Sequence, residues 1–421
     1  MNSSTQMKSL LVEALSNESH LMEQSKTIDL SVIIVSYNVE HFLHLCLESV
    51  YAATKNIQTE VIVIDNASAD KSVDMVRKQF PSTRVIANVD NLGFGKANNQ
   101  AAKLAKGRYL CILNPDTVVS QNTFEQFIAL HESNPNLGIS GPQLTDGTGQ
   151  FLRESKRGLP TIKAAVSKSL GLFKLSPHLF GQYYNLGLPQ NQSGKTDVLV
   201  GAFMFLRKQL YDQLEGFDEN FFMYGEDIDI SHRSLKLGLT NFYLSEANVI
   251  HFKGESTPKN KAYEKRFFNA MSYYYNKNFS HNWLLNSVFM FGSYVFSKCK
   301  RIISSRRDET KPLLVNEWIL LSDNPELYKT VQTNIFPSLK QCQTLLEALQ
   351  LETNGLTGIV FDMRSIQWNE VISFMQLHQT RYIYKYISAD NKRIIGSSDV
   401  LSRGSGAIIK KSKNKSEVSI V

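Results

Sequence analysis

Short, uninterrupted apolar runs alternate with stretches of helical periodicity through the first quarter of the chain. The runs contain no polar–apolar alternation, which is typical of strands that are buried on both faces. Between them, apolar positions recur at helical spacing, as at Phe42, Leu45 and Val50. Strands alternating with helices predict an α/β fold, with a parallel sheet covered by helices on both faces. The predicted strands are 31–36, 61–65, 84–87 and 110–113.

Polar side chains recur where these predicted strands end. The carboxyl ends of parallel strands share one edge of a sheet, and open α/β sheets bind their ligands there. No G-x-G-x-x-G follows the first strand and no Walker loop is present, so neither dinucleotide nor P-loop binding is predicted. The strand-end residues are Tyr37, Asn38, Asp65, Asn66, Asn91, Asn114 and Asp116.

Two of these strand ends permit more than one interpretation. In the segment 114–116, Pro115 favours an extended Asn114, and the Asp116 carboxylate suits a hard cation that also binds phosphate. Asp116 could equally cap the next helix. In the segment 91–95, two glycines allow close backbone approach and the following helix offers free N–H groups, but a plain glycine-rich turn has the same pattern.

Two later stretches also carry candidate chemistry. Glu226, Asp227 and Asp229 follow Gly225 at a predicted helix start, where acids are favoured by the helix dipole and where one of them could act as a general base. His251 follows apolar residues at a strand end. Such a histidine is either structural or a ligand of a metal or diphosphate.

Taken together, the motifs resemble the inverting glycosyltransferases of family 2, specifically the rhamnosyltransferase-like branch. The resemblance spans roughly residues 31–280 and implies a GT-A-type fold that binds a nucleotide-sugar. One position departs from the general D-x-D motif, because Asn114 replaces the first carboxylate. A cation would then depend partly on the donor's own phosphates. The matching motifs are SYN at 36–38, VIDNAS at 63–68 followed by Asp70, NLGFGKAN at 91–98 and LNPDT at 113–117.

The resemblance also implies roles for individual residues. Asp227 would be the catalytic base, with Glu226 beside it, and Asp116 and His251 would hold Mg²⁺ or Mn²⁺. Arg233 would face the leaving diphosphate, although a structurally paired arginine is the alternative. Lys253 and Lys259 would help to neutralise the diphosphate. The nucleotide-sugar pocket would be formed by Tyr37, Asn38, Asp65, Asn66, Asn91, Gly93, Asn98, Asn114 and Arg233.

Charge and cysteine content refine this picture. The formal net charge is +7, and lysine and arginine cluster at 298–311 and 410–415. Because no aromatic-interleaved basic motif is present, an anionic membrane surface is favoured over nucleic acid. Residues 283–297 have an apolar helical face but are shorter than the roughly 20 residues that span a bilayer. They are predicted either to bind the membrane surface or to pack on the core.

The four cysteines are scattered, which fits a reducing compartment. The expected location is the cytoplasm, at the inner face of the cell membrane. Residues 151–195 are predicted to be mobile and to face the substrate. The predicted segments are a polar lead-in without a secretory signal (1–30), a catalytic domain (31–280), an amphipathic helix with a basic linker (281–311), a small α/β domain (312–400) and a basic tail (401–421), which is predicted to be disordered from Lys410.

The small domain faintly resembles Rossmann-like accessory domains, but it lacks a glycine-rich phosphate loop. Regulation or docking of a protein partner is therefore expected of it. The leading hypothesis is transfer of a sugar to a glycan or lipid-linked acceptor in surface polysaccharide synthesis. A nucleotidyltransferase is the second hypothesis, but it does not explain the acids after Gly225. A catalytically silent binding subunit of a polysaccharide assembly is the third.

Overall fold

The computed structural model describes residues 27–161, 181–253, 261–279, 315–351, 355–396 and 405–409. The predictions made for most of 1–30 and for 283–307 lie outside these residues. Two sheets organise the described chain, one of nine strands and one of six. The predicted α/β class, with a smaller α/β unit following the larger one, is confirmed.

The larger sheet has the strand order β3-β2-β1-β4-β8-β6-β9-β5, with β7 paired to β9. The β3-β2-β1-β4 half is parallel, as predicted, while β8 and β5 run antiparallel to their neighbours. The strands are β1 (Leu30–Ser36), β2 (Thr59–Asp65), β3 (Arg84–Ala87), β4 (Tyr109–Leu113), β5 (Thr117–Val119), β6 (Leu137–Thr145), β7 (Gly194–Lys195), β8 (Phe203–Arg207) and β9 (Thr240–His251).

Helices cover both faces of this sheet. Alternate residues of β1 point to opposite sides, so that Val32 joins one apolar core and Ile33 the other. Helices α1, α2 and α4 pack on the first face, and α3, α5 and α6 on the second. The helices are α1 (Glu40–Ala53), α2 (Ser72–Gln79), α3 (Phe94–Ala102), α4 (Thr123–Ser133), α5 (Lys208–Gln213), α6 (Glu226–Lys236) and α7 (Lys261–Phe279).

The smaller sheet has the order β11-β10-β12-β13-β14-β15, with its first four strands parallel and the last two antiparallel. Its strands are β10 (Glu317–Leu321), β11 (Leu339–Cys342), β12 (Thr357–Asp362), β13 (Tyr382–Ile387), β14 (Arg393–Gly396) and β15 (Ser405–Ile408). Its helices are α8 (Pro325–Asn334), α9 (Leu345–Gln350) and α10 (Trp368–Leu377).

The smaller unit differs from its sequence pattern in two places. The helical pattern over 326–351 predicts one helix, and this prediction is wrong, because α8 ends at Asn334 and the edge strand β11 follows it. Pro337 explains the break, because proline cannot continue a helix interior. The predicted basic tail begins at residue 401, but β15 pairs with β14 and the adjoining Ile409 is buried, so residues 405–409 belong to the smaller unit. The disorder predicted from Lys410 onward concerns residues outside the described ones.

The two units share one hydrophobic core. Phe42 of α1 and Phe252, just after β9, have ring centroids 5.0 Å apart, and Phe252 contacts Tyr386 of β13 at 5.6 Å. Val118 and Ile250 belong to the same cluster as the smaller sheet. The smaller unit therefore packs directly behind β5 and β9 of the larger sheet.

The state of the cysteines and the character of the helices bear on the predicted cellular location. Cys46, Cys111 and Cys342 are all buried free thiols, so none of these three forms a disulfide. Among the described residues, no helix combines the length and the apolar character needed to cross a membrane.

Candidate active site

A cavity of about 450 Å³ lies at the carboxyl ends of β1 and β4 and reaches the start of α6. Sequence motifs more than a hundred residues apart converge on it. This is the edge at which an open α/β sheet is expected to bind a ligand. The predicted site residues that line the cavity are Tyr37, Asn66, Asn91, Asn114, Asp116, Glu226, Asp227 and His251.

Asp116 and His251 are brought together by strand pairing. β5 runs antiparallel to β9 with Thr117 opposite His251, and the Phe252 N–H donates to the Asp116 carbonyl at 3.0 Å. As a result, Asp116 Oδ1 lies 3.4 Å from His251 Nε2. Both side chains are largely buried. Asp116 Oδ1 has no hydrogen-bond partner among the described residues.

This pair fits the predicted cation site. A buried carboxylate oxygen without a donor is costly unless something else satisfies it, and a divalent cation does so directly. The imidazole beside it adds a nitrogen ligand. Two protein ligands leave the remaining coordination positions to water and to phosphate oxygens of a donor.

Asn114 is fixed by its backbone. Its N–H donates to the Ala202 carbonyl at 2.9 Å, and its own carbonyl accepts from Thr117 Oγ1 at 2.7 Å. Its side-chain amide Nδ2 lies 3.4 Å from His251 Nε2. The residue that departs from the D-x-D motif therefore contacts the histidine of the cation pair.

A network of asparagines shapes the opposite wall. Asn66 Nδ2 donates to the Gly93 carbonyl at 3.1 Å and lies 3.3 Å from Asn91 Oδ1, which in turn accepts from the Gly93 N–H. Gly93 has φ of 85°, and a Cβ there would lie 2.4 Å from the Phe222 carbonyl oxygen. Only glycine fits this close approach.

Three predicted residues stand behind this wall, outside the cavity lining. Asn38 Oδ1 accepts from the Ala69 N–H at 2.7 Å, and Asp65 Oδ2 accepts from the Ser68 N–H at 2.9 Å. Asn98 Nδ2 donates to the Phe94 carbonyl at 2.9 Å. Asp65 Oδ1 is buried and lacks a partner among the described residues, so this oxygen is left available for a ligand donor.

Asp227 is held by three donors at the start of α6. Arg157 Nη2 lies 2.5 Å from Asp227 Oδ2, and the Gly201 N–H donates to the same oxygen at 3.2 Å. The Ile228 N–H donates to Oδ1 at 2.8 Å. Donors of this kind favour a carboxylate over a carboxylic acid. Gly225, at φ of 90°, allows the sharp turn into the helix.

Glu226 has the opposite character. Burial, followed by the adjacent Asp227 charge, raises the pKa of Glu226 to about 8. Its Oε2 is buried without a hydrogen-bond partner among the described residues. Glu226 therefore carries a proton at neutral pH, whereas the neighbouring Asp227 accepts hydrogen bonds from three donors.

Arg233 does not reach the cavity, so its expected contact with the diphosphate is wrong for this structure. Its Nε lies 2.7 Å from Asp229 Oδ2, one helical turn away, and its Nη2 donates to the Gly216 carbonyl at 2.8 Å. Another of its nitrogens donates to the Leu214 carbonyl. The alternative interpretation, a structurally paired arginine, describes it.

Several lining residues were not singled out from the sequence. Arg157 and Glu154 lie in the segment predicted to face the substrate, and Glu154 forms a short ion pair with Lys253. Burial raises the pKa of Glu154, but Lys253 outweighs it and leaves the pKa below its usual value. Lys253 had been expected at the diphosphate; Lys259 lies outside the described residues. Further lining residues without a predicted role include Phe94, Tyr183, Tyr184, Val200, Tyr224, Phe267 and Met271.

Comparison with known proteins supports the family resemblance. Residues 31–214 match the family described as glycosyl transferase family 2. This part of the chain is therefore similar to a family 2 glycosyltransferase domain. Within the structure they carry β1 to β8 and the predicted donor motifs, so the resemblance drawn from those motifs is confirmed.

Relatives of this glycosyltransferase support the rhamnosyltransferase-like branch. N-acetylglucosaminyl-diphospho-decaprenol L-rhamnosyltransferase of Mycobacterium tuberculosis is 26% identical over 244 residues, covering 55% of this chain and 79% of the relative. Rhamnosyltransferase WbbL of Escherichia coli is 26% identical over 238 residues, covering 52% of this chain and 82% of the relative. A solved structure of mannosyltransferase PcManGT from Pyrobaculum calidifontis, with GDP-Man and Mn²⁺, has a TM-score of 0.43 at 15% identity and covers 66% of this chain and 76% of its own.

Proposed function

We propose that this glycosyltransferase moves a sugar, with inversion, from a nucleotide-diphospho-sugar to a hydroxyl group of a glycan or lipid-linked acceptor in surface polysaccharide synthesis. The observation that carries the proposal is that one cavity holds both the Asp116 and His251 pair and the Asp227 carboxyl group, which Arg157 orients. The names of its relatives support the choice of reaction, since they include transferases that act on a polyprenyl-diphosphate-linked sugar.

The donor would lie along the asparagine wall. The buried Asp65 oxygen and the Asn66 amide would recognise the nucleoside, and Tyr37, whose side chain is 37% exposed, would cover it. Lys253 would contribute positive charge toward the diphosphate. These groups would fix the donor's orientation, which is a large part of the rate enhancement in group transfer.

Asp227 would accept the proton of the acceptor hydroxyl as that oxygen attacks the anomeric carbon. The glycosidic bond to the nucleoside diphosphate breaks on the opposite face of the sugar, so the configuration inverts. Asp227 suits this role because Arg157 and two backbone N–H groups fix its orientation, whereas Glu226 carries a proton at neutral pH. We assign proton transfer to Asp227 and a supporting role to Glu226.

We further propose that Asp116 and His251 hold Mg²⁺ or Mn²⁺. When bound there, the cation would neutralise charge on the departing diphosphate. The Asp116 oxygen without a partner and the adjacent imidazole are the residues of this chain that favour it. The remaining ligands would come from the donor and from water.

A lipid-linked acceptor would also require the protein to work at a membrane surface. The apolar face of 283–297 and the basic residues that follow suit an anionic membrane surface, where a lipid-linked acceptor would be presented. We propose peripheral association with the cytoplasmic face of the membrane, with the C-terminal unit available to a protein partner.

A thermal-shift panel of nucleotide-sugars on the full chain, with Mg²⁺ or Mn²⁺, tests donor binding, because a ligand of the folded state raises the melting temperature. The nucleotide-sugar that shifts it is then assayed for donor hydrolysis and transfer. Asp227→Asn should bind the donor and not turn it over, while Asp212→Asn, at an exposed acid, should behave as wild type. Turnover that survives Asp227→Asn unchanged contradicts the base assignment.

A further inference from the structure

A second group of metal-ligating side chains lies where the two units meet. His44 and Glu48 are one turn apart on α1, so they share a helix face, and Asp390 follows β13 of the smaller unit. One ligand atom from each lies within 4.8 Å of the other two. We call this group the interdomain triad. It shares no residue with the lining of the active-site cavity.

Two of its ligand atoms lack partners. His44 is only 2% exposed, and its Nδ1 is buried without a hydrogen-bond partner among the described residues. Glu48 Oε2 is also buried, and it too has no hydrogen-bond partner among the described residues. His44 Nδ1 lies 3.8 Å from Glu48 Oε1, too far for a hydrogen bond between them. Buried polar atoms left unpaired at one point indicate that a ligand normally satisfies them.

The surrounding contacts orient the three side chains. Glu48 Oε1 accepts from the Ala389 N–H at 2.9 Å, which leaves Oε2 directed away from that bond. Asp390 Oδ1 accepts from Ser388 Oγ at 2.6 Å. The His44 ring has a side-chain hydrogen bond with Gln79. Outer contacts of this kind position carboxylate and imidazole ligands around a metal ion.

The local charge suits a divalent cation. Glu40, Glu48 and Asp390 contribute three negative charges when ionised, and Arg393 contributes one positive charge. Arg393 Nη1 lies 3.3 Å from Asp390 Oδ2, where it acts as an outer contact of that carboxylate. Lys392 approaches Asp390 only at 3.9 Å and is 66% exposed, so solvent screens its charge.

We propose that the interdomain triad binds a divalent transition metal of the Zn²⁺ class and thereby fastens α1 to the loop after β13. Imidazole is a good ligand for such ions, whereas Mg²⁺ relies on oxygen ligands and would have no donor phosphates at this site. Three protein ligands leave coordination to be completed by water. A crevice of about 680 Å³ between the units is lined by Glu48 and Ala389 and gives solvent access to the site.

The experiment measures metal binding, not transfer, and uses the full chain stripped with a chelator. Asp116→Asn is the background, so that the proposed donor cation does not contribute. We expect Zn²⁺ to bind with a stoichiometry of one per chain and to raise the melting temperature by several degrees, and Co²⁺ to give a ligand-field absorption band. Mg²⁺ at the same concentration should do neither.

Glu48→Gln and Asp390→Asn, each in that background, should abolish the Zn²⁺-dependent shift and the Co²⁺ band. Glu125→Gln, which lines the same crevice outside the triad, is the matched control and should leave both intact. Apo melting curves of the two variants establish that each folds; if one fails to fold, the other decides. Zn²⁺ binding that survives both substitutions, or no Zn²⁺ binding in the background protein, overturns the proposal.

Discussion

Arg157 Nη2 lies 2.5 Å from Asp227 Oδ2, and each of the two side chains is only 12% exposed. Arg157 is anchored by its backbone, which exchanges two hydrogen bonds with Val198. The guanidinium therefore fixes the direction of the carboxyl group that we propose as the base.

Replacing Arg157 should lower the rate of transfer. In Arg157→Gln the Asp227 carboxyl group loses the guanidinium that orients it. Hydrogen bonds to charged groups contribute about 1.5–3 kcal/mol, so we expect kcat to fall by roughly ten- to a hundredfold, with a smaller change in the KM for the donor. Steady-state kinetics measure both constants.

Arg157→Lys is the conservative variant, because it keeps the charge and loses the planar fork. It should restore kcat only in part. Arg77→Gln, at an exposed arginine of α2, serves as the control. An unchanged kcat in Arg157→Gln, with only a lower melting temperature, would show that the arginine merely supports the fold.

Asp227 and Glu226 should respond differently to amide substitution. Asp227→Asn removes the proposed base and should lower kcat by about 10²–10⁴-fold. Glu226→Gln replaces a group that is already neutral, because burial raises the pKa of Glu226 to about 8. It should therefore keep kcat within about threefold at neutral pH, since glutamine resembles the protonated acid.

Glu226 should also make stability depend on pH. Its folded-state pKa of about 8 lies above the unfolded value of 4.5, so the folded state binds the proton more tightly. The stability contribution is complete below pH 4.5 and is lost as pH rises through 8. The melting temperature of wild type should fall relative to Glu226→Gln over this window, and parallel curves would contradict the raised pKa.

Removing the cation pair should abolish metal-dependent activity. Asp116→Ala should remove most turnover, and a chelator should do the same to wild type. His251→Ala keeps the carboxylate and loses the imidazole, so we expect mainly a higher metal concentration for half-maximal activity, by tenfold or more. Metal titrations at saturating donor measure this, and a fully active Asp116→Ala would exclude the proposed site.

Because the two units share a hydrophobic core, the folding stability of each unit should depend on the other. Tyr386 is fully buried against Phe252 and Phe361, so Tyr386→Ala should lower the free energy of unfolding by about 3–5 kcal/mol. Leu377→Ala, at a position 80% exposed, should change it by less than about 0.5 kcal/mol. Denaturant titration of the full chain compares them, and a small loss in Tyr386→Ala would argue against a shared core.

Residues 283–307 should attach the protein to anionic membranes. Full-length protein should co-sediment with liposomes that contain anionic lipid, less so as salt rises, because surface charge is screened. Liposomes of neutral lipid are the control. Equal partitioning after deletion of 283–307 would refute the membrane role.

The sequence predicted those parts of the fold that have a local signal. Runs such as 31–36 and 61–65 are apolar throughout because both of their faces are buried, and β1 and β2 occur there. β11 was missed because its four residues, two of them polar, follow a helical pattern without a clear boundary. β15 was missed because pairing with β14, not composition, makes it a strand.

The sequence also predicted those parts of the candidate site that have a local signal and missed those that depend on long-range contacts. Motifs carry Asp116, His251 and Asp227, which line one cavity, whereas Arg157 lies 70 residues before Asp227 and no motif marks it. Arg233 was assigned wrongly since its spacing to Asp229 allows an ion pair along the helix, and only the structure shows that this pair and two carbonyls hold it. Long-range pairings of this kind leave no pattern in one sequence.

The contact of Phe252 with both Phe42 and Tyr386 bears on how such enzymes can be recombined. The C-terminal unit is not an interchangeable module, because its packing surface includes residues of the catalytic sheet next to His251. A chimera that exchanges only residues 312–421 would mismatch this surface. A functional hybrid would need to take α1, β5 and the end of β9 from the same protein as the C-terminal unit, because these elements pack against that unit.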